Sequence, residues 1–289
     1  MLTIIMKGQN LRHWLLGLAL FSFPFVSLAQ NGQERKYSEM KGFVNKPGFL
    51  EASPERLKSL KLPLGFTIEK WADGFEKPRM LAVGPQGQVY VSDPKKGEVL
   101  LLQDSNKDGK SDARQVVMKQ DKAHGLAVHE GQLYVVTVRE VYRAPIQANG
   151  SLGTAQKIIS DLPDGGQHPN RTLYFGPDGK MYITVGSTCN ACDEPNEEAA
   201  TILQFNADGS GRTIWARGLR NTIGMDWHPQ TRQLWGMDHG IDWFGDDESK
   251  EELNLLEEGR HYGWPYIYEK GTRSPKDTPE EGWQAYEKR

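Results

Sequence analysis

The chain has only two cysteines in 289 residues. That is too few for a four-thiolate zinc site, and Asp193 follows Cys189-Asn190-Ala191-Cys192 at the place where covalent haem attachment needs a histidine. A basic excess is also lacking: 35 Lys and Arg stand against 38 Asp and Glu, a formal charge of −3 with no basic cluster, so the footprint of a nucleic-acid binder is missing. No apolar run reaches the ~20 residues that a bilayer-spanning helix needs, which argues against a stable membrane span. Helical periodicity is scarce as well, its clearest candidate being a turn or two at residues 250–257. What is plentiful is glycine (31 residues) and aromatic bulk (8 Trp, 10 Tyr, 10 Phe). That mixture suits many short strands separated by glycine turns.

The first 29 residues read as a secretory signal peptide. Lys7 and Arg12 form a positive start, Trp14 to Val26 is apolar, and Ser27-Leu28-Ala29 is a small-x-small cleavage site. No cysteine follows that site, which speaks against a lipoprotein, and the expected working compartment is the periplasm or the outside of the cell. Residues 30–62 are polar and weakly periodic, an N-terminal arm. Residues 63–289 then repeat themselves. The strand-turn-strand unit that starts at Leu81 returns at Leu126, Leu173 and Met225, and the equivalent points Gly84, His129, Gly176 and His228 are 45, 47 and 52 residues apart. A period of about 40–50 residues is that of propeller blades, so the expected fold is an all-β β-propeller. Glu98–Gln103 and Ile202–Phe205 supply further strands, and a β-sandwich with coincidental hairpins would leave the even spacing unexplained. Arg289 ends the sequence in a polar stretch without a closing strand pattern, so the propeller domain is expected to be incomplete at its C-terminus.

Several constellations bear on chemistry. His168 lies in a loop just before the strand Leu173-Tyr174-Phe175, where loops enter a sheet and site residues gather. Arg220 and Asn221 set a planar fork of donors beside an amide, suited to an oxygen-rich planar ligand. After Gly240 come acidic residues and carbonyls fit for a hard cation such as Ca²⁺. For Cys189 and Cys192 a short-loop disulfide in an oxidising compartment is favoured; a redox-active dithiol is the alternative, without a thioredoxin-like pattern around it. Asp104, Asn106, Asp108, Gly109 and Asp112 are spaced like a calcium loop, but Gln115 takes the twelfth position, and a charged hairpin turn is favoured over a bound ion.

Taken in order, His168, Arg171-Thr172-Leu173, Phe175-Gly176-Pro177-Asp178-Gly179-Lys180-Met181-Tyr182, Gly186-Ser187-Thr188-Cys189-Asn190-Ala191-Cys192, Gly218-Leu219-Arg220-Asn221, Asp242-Trp243-Phe244-Gly245-Asp246-Asp247, Glu252-Leu253-Asn254 and Tyr262-Gly263-Trp264-Pro265 form a specific series. It resembles the soluble sugar dehydrogenases that use pyrroloquinoline quinone, most of all their L-sorbosone dehydrogenase branch, over roughly Leu64 to Gly271. The resemblance implies a six-bladed propeller, of which about four to five blades fall in this chain. It also implies the quinone and Ca²⁺ as cofactors, a small sugar or sugar aldehyde as substrate, and an external electron acceptor, a quinone or a cytochrome. His168 matches the general base, Arg220 the arginine against the quinone carbonyls, and Asn221, with Gln167 beside His168, the cofactor contacts. Gly240 and Ile241 match the carbonyl ligands of the Ca²⁺, Ile241 standing where the best-known glucose enzymes have proline. Asp246, Asp247 and Glu252 are further metal candidates. Two other classes compete: a non-catalytic propeller that binds carbohydrate or protein, and a calcium-dependent lactonase, which would need side-chain carboxylates converging on one ion.

Overall fold

The computed structural model describes residues 48, 50–51, 53–242, 244 and 248–289. The expected signal peptide and most of the N-terminal arm lie outside the described residues. Of that arm, Pro54–Ser59 form a short helix, α1, capped by Ser53, whose Oγ accepts from the Arg56 amide.

Four antiparallel sheets follow, each built in chain order. The first holds β1 (Leu81–Val83), β2 (Val89–Asp93), β3 (Glu98–Gln103) and β4 (Ala113–Lys119); the second holds β5 (Gly125–His129), β6 (Gln132–Val136), β7 (Val141–Pro145) and β8 (Gln156–Ile159). The third is β9 (Leu173–Phe175), β10 (Met181–Val185), β11 (Thr201–Phe205) and β12 (Thr213–Arg217), and the fourth is β13 (Thr222–Trp227), β14 (Leu234–Asp238) and β15 (Glu252–Leu256). They are four blades of a β-propeller, with the repeat units of the sequence as the first two strands of each. A small ribbon, β16 (Ile267–Tyr268) with β17 (Thr272–Arg273), and one helical turn, α2 (Trp283–Tyr286), come after them.

The turn chemistry sets the register. In the first blade Gly84 N donates to Gln88 O at 2.8 Å, and in the third Gly176 N donates to Lys180 O at 2.9 Å. Gly87 and Gly179 take φ of 83° and 76° there, a left-handed conformation that glycine adopts without a Cβ clash. The segment with calcium-loop spacing is the β3–β4 turn. Asp104 accepts the amides of Asp108 and Gly109, and Asp112 those of Ser105 and Asn106, so its carboxylates close the hairpin itself.

Each blade is held to the next by an apolar seam. Tyr90, Val99 and Leu101 of the first pack on Leu126, Leu133 and Val135 of the second; Tyr134 and Val136 pack on Leu173, Met181 and Ile183 of the third; Tyr182, Ile202 and Trp215 pack on Met225 and Leu234 of the fourth. Tyrosine at one repeat position adds a polar tie, with Tyr90 Oη donating to Gly150 O at 2.7 Å and Tyr134 Oη to Ala207 O at 3.2 Å. Side chains buried in this way contribute roughly 1.5–3 kcal/mol each. The outermost faces lack such a partner among the described residues: Leu81 and Val83 on β1 are 67% and 65% exposed, and Leu253 on β15 is 62% exposed.

The helical turn expected at residues 250–257 is overturned. Glu252–Leu256 is strand β15, in register with β14 through Asp238↔Glu252, Gly236↔Asn254 and Leu234↔Leu256. Burial of Leu256 against the Leu234 side decides in favour of the strand, because sheet pairing overrides local helix propensity. Leu133, fully buried in the first seam, gives a direct test of the packing. Leu133→Ala is expected to lower the unfolding free energy by about 2–5 kcal/mol in chemical denaturation, a loss set by the cavity left behind.

Candidate functional site

The site forms where the third blade meets the fourth. His168 is in the loop before β9, Gly186 and Ser187 leave the end of β10, and Arg220 and Asn221 precede β13. The backbone of Ser187 joins them. The Ser187 amide donates to Arg220 O at 2.7 Å, and its carbonyl faces His168 Nδ1 at 2.8 Å. A carbonyl oxygen only accepts, so Nδ1 carries the proton and Nε2 is left with its lone pair. Ser187 Oγ also lies 2.8 Å from Nδ1 and donates its own hydrogen to Cys189 O at 2.7 Å, which leaves it an acceptor toward the ring as well.

Below the histidine, Arg171 is fully buried. Its Nη1 donates to His168 O at 2.8 Å and its Nη2 to Pro163 O at 3.0 Å, pinning the loop from beneath. Gly186 is glycine for a reason of space: a Cβ there would lie 2.6 Å from the His168 Cβ and 3.1 Å from Asn221 Oδ1. His168 and Asn221 thus flank one bare stretch of backbone. The Asn221 side chain makes no hydrogen bond to the described residues. Gln167 is exposed and fixed through its amide, which donates to Thr188 O at 3.0 Å.

Arg220 is held differently. It is 2% exposed, and its Nε donates to Asn190 O at 2.9 Å, its Nη1 to His239 O at 3.2 Å and its Nη2 to Asn190 Oδ1. Asp242 Oδ2 lies 3.3 Å from Nη2. The backbone under it is clamped by Asp238, whose carboxylate accepts the amides of Arg220 and Asn221 at 2.9 and 2.8 Å and the Thr222 hydroxyl at 2.9 Å. Burial pushes the Asp238 carboxyl up to about 6 against those three donors. Glu252, its partner across β14 and β15, is raised by burial too, and it accepts from Asn254 Nδ2 at 3.1 Å and from the Glu269 amide.

Arg220, Asp238, Gly240, Ile241, Glu252 and Trp264 line a cavity of about 20 Å³, room for one water or one ion. The Gly240 amide donates to Glu251 and the Ile241 amide to Ser249 Oγ, at 3.0 and 2.8 Å, while their carbonyl oxygens accept nothing from the described residues. Two free carbonyls beside the buried Asp238 and the half-buried Glu252 are a donor set fit for a hard cation. Asp246 and Asp247 lie outside the described residues. Among those described, the one group of three or more His, Cys, Asp or Glu ligand atoms close together is Cys189, Cys192 and Glu194. Its sulfurs are joined in a disulfide, 1.95 Å apart, so converging side-chain carboxylates of the lactonase kind are not found there.

Sequence reasoning did not reach Ser187, Asn190, Arg171 or Asp238 as parts of the site. All four act through or upon backbone atoms, which leave no side-chain pattern to read.

The four blades give a β-propeller fold, and its solved neighbours include PQQ-dependent sugar dehydrogenases. Residues 60–271 match the TrAA12-like family model, and the chain belongs to that family. Quinoprotein glucose dehydrogenase B of Acinetobacter calcoaceticus is 23% identical over 248 residues, covering 66% of this chain and 50% of that protein. The calcium structure of the Trichoderma reesei family AA12 enzyme superposes with a TM-score of 0.60 at 20% identity, over 73% of this chain and 61% of that one. The PQQ-bound aldose sugar dehydrogenase of Streptomyces coelicolor superposes with a TM-score of 0.55 at 19% identity, over 72% and 69%. The curated relatives matched along most of this chain are spanned over 50% to 64% of their own length.

Burial lowers the His168 pKa from its ordinary 6.5; the charges of Arg220 and His239 push the same way, opposed by the Ser187 bond and Asp242. The imidazole therefore stays neutral to lower pH than a free histidine. In an NMR titration its ring protons are expected to move at a midpoint below 6.5, and a midpoint above that value would contradict the described environment.

Proposed function

We propose that the chain is a quinoprotein oxidoreductase that oxidises a sugar or sugar aldehyde in the periplasm or outside the cell, passing electrons on to an external quinone or cytochrome. One observation carries this reading: the Ser187 carbonyl fixes the proton of His168 on Nδ1 and leaves Nε2 as a base, beside an unspent Asn221 amide. The relatives' names and the family point the same way. So does the donor set of Gly240 and Ile241.

His168 Nε2 takes the proton of the substrate hydroxyl as its C–H bond breaks and the carbon becomes a carbonyl. General base help of this kind is worth roughly 10²–10⁴-fold in rate. The lowered pKa keeps the base available at mildly acid pH. Asn221, Gln167 and Arg220 would hold pyrroloquinoline quinone, and the Gly240 and Ile241 carbonyls, with Glu252 at the cavity wall, would hold Ca²⁺. When bound, the quinone supplies the hydride acceptor and the Ca²⁺ polarises its carbonyl. Arg220 offers fixed positive charge in a site of low dielectric, where it needs no reorganisation as negative charge develops.

A second reading, a non-catalytic carbohydrate- or protein-binding propeller, is favoured by one observation: Arg220 already spends its Nε, Nη1 and Nη2 on protein oxygens. The two readings part on His168. Under the first, pyrroloquinoline quinone with Ca²⁺ raises the melting temperature and supports dye-linked oxidation of aldoses or sorbosone. His168→Ala then cuts kcat at least about 100-fold while the quinone-induced rise in melting temperature persists. No rise with the wild-type chain would remove the first reading, and glycan binding indifferent to His168→Ala would favour the second.

A further inference from the structure

The loop between Ser187 and Glu194 does more than connect β10 to β11. Its Cys189 carbonyl accepts the Ser187 hydroxyl that faces His168. Its next residue, Asn190, is 3% exposed and touches three separate elements. Asn190 O accepts from Arg220 Nε at 2.9 Å and from the Trp264 indole at 3.3 Å, and Asn190 Oδ1 accepts from Arg220 Nη2 and from the Asp242 amide at 3.2 Å. The loop thus grips the guanidinium, the turn that follows Gly240 and Ile241, and through Ser187 the imidazole. Asn190 Nδ2 is buried with no partner among the described residues. An unmade donor of that kind costs roughly 1–3 kcal/mol, so the amide is kept in place by what its oxygens hold.

Two features fix this tetrapeptide. The Cys189–Cys192 disulfide closes it across three residues, and Glu194 anchors its start by accepting from the Thr188 amide and hydroxyl at 2.7 and 2.6 Å. Asn190 thus lies inside a closed ring, between two half-buried cysteines whose bond narrows the conformations open to it.

We propose that Asn190 is a positioning residue for Arg220, and that the Cys189–Cys192 disulfide is the brace that holds Asn190 and the Ser187–His168 contact in register, so that the oxidised loop is the competent one. Reduction by a thiol or phosphine adds two electrons and two protons to the sulfur–sulfur bond, giving two thiols, and frees both contacts at once. The Arg220 part rests on the function proposed above; the His168 part does not.

The full chain is tested oxidised, after phosphine reduction to two free thiols, and as Asn190→Ala and Asn190→Asp with the disulfide intact. Two readouts are taken: binding of pyrroloquinoline quinone with Ca²⁺, and the NMR titration of His168 without cofactor. Reduction is expected to weaken quinone binding at least about tenfold, the worth of a hydrogen bond to a charged group, and to move the His168 midpoint further below 6.5, because the Ser187 bond that is released is one that raises it. Asn190→Ala is expected to weaken binding by about the same factor and to leave His168 where it was. Asn190→Asp, which keeps an oxygen for Arg220 and the Asp242 amide, is expected to recover most of that loss. If reduction unfolds the chain, the Ala and Asp variants decide. Unchanged affinity in Asn190→Ala, or an unmoved His168 midpoint in reduced and folded protein, overturns the proposal. Failure of the oxidised wild type to bind quinone at all sinks the function instead, and leaves the His168 titration to judge the brace.

Discussion

The backbone of one residue, Ser187, is the contact on which the geometry of the site depends. Its N–H is spent on the Arg220 carbonyl and its C=O on the His168 ring, so one residue ties the base of the third blade to the backbone of the cation in the fourth. The two groups belong to successive peptide planes with only the φ and ψ of Ser187 between them, whereas side-chain contacts flex through several torsions. The spacing of the imidazole and the Arg220 backbone is therefore tied to where two blades meet. That meeting is set in turn by the seam of Tyr182, Ile202, Met225 and Leu234. Packing far from the chemistry thus fixes a proton on one nitrogen of one ring.

The blades share a frame and differ in what they hang on it. In the first, Asp93 closes β2 and accepts the amides of Glu76 and Lys77 at 2.8 and 3.1 Å. In the fourth, Asp238 closes β14 and accepts those of Arg220 and Asn221. The clamp is the same, on the segment that leads into the innermost strand. One instance presents a solvent-facing Glu-Lys pair and the other an arginine and an amide beside a cavity. A backbone device that tolerates any side chain lets function be placed on one blade without disturbing the fold of the others.

This division also explains what the sequence disclosed. The repeat was legible because its turns need glycine at left-handed positions such as Gly87 and Gly179, and because every second strand carries a bulky aromatic, Tyr90, Tyr134, Tyr182 or Trp235. Residues 250–257 misled, since Glu-Leu-Asn-Leu-Leu-Glu is as compatible with a helix as with a strand until β14 is there to pair with it. His168, Arg220 and Asn221 stood out by residue type and by resemblance. Ser187 did not, since what it offers the ring is a carbonyl oxygen that any residue possesses, and Asn190 did not, since nothing in the sequence shows which elements its two oxygens meet. Asp238 was in plain sight, but an aspartate beside glycines suggests a metal ligand sooner than a cap on two backbone amides.

Arg220 itself shows why burial and charge are reconciled here. Burial pulls its pKa down from the ordinary value, and the carboxylates of Asp242, Asp238 and Glu251 pull it back up. A guanidinium remains charged throughout any working pH, so the cost of burying it is borne as permanent charge and not avoided by loss of a proton. Asn190 and His239 offset that cost with three oxygens that accept from Nε, Nη1 and Nη2. A lysine in the same place has one nitrogen and no plane, and would be left to shed its proton or seek water. The fork geometry thus accounts for the choice of residue. It keeps a full positive charge 2% exposed at the wall of the cavity, where the low dielectric makes the field of one cation stronger than several at the surface would be.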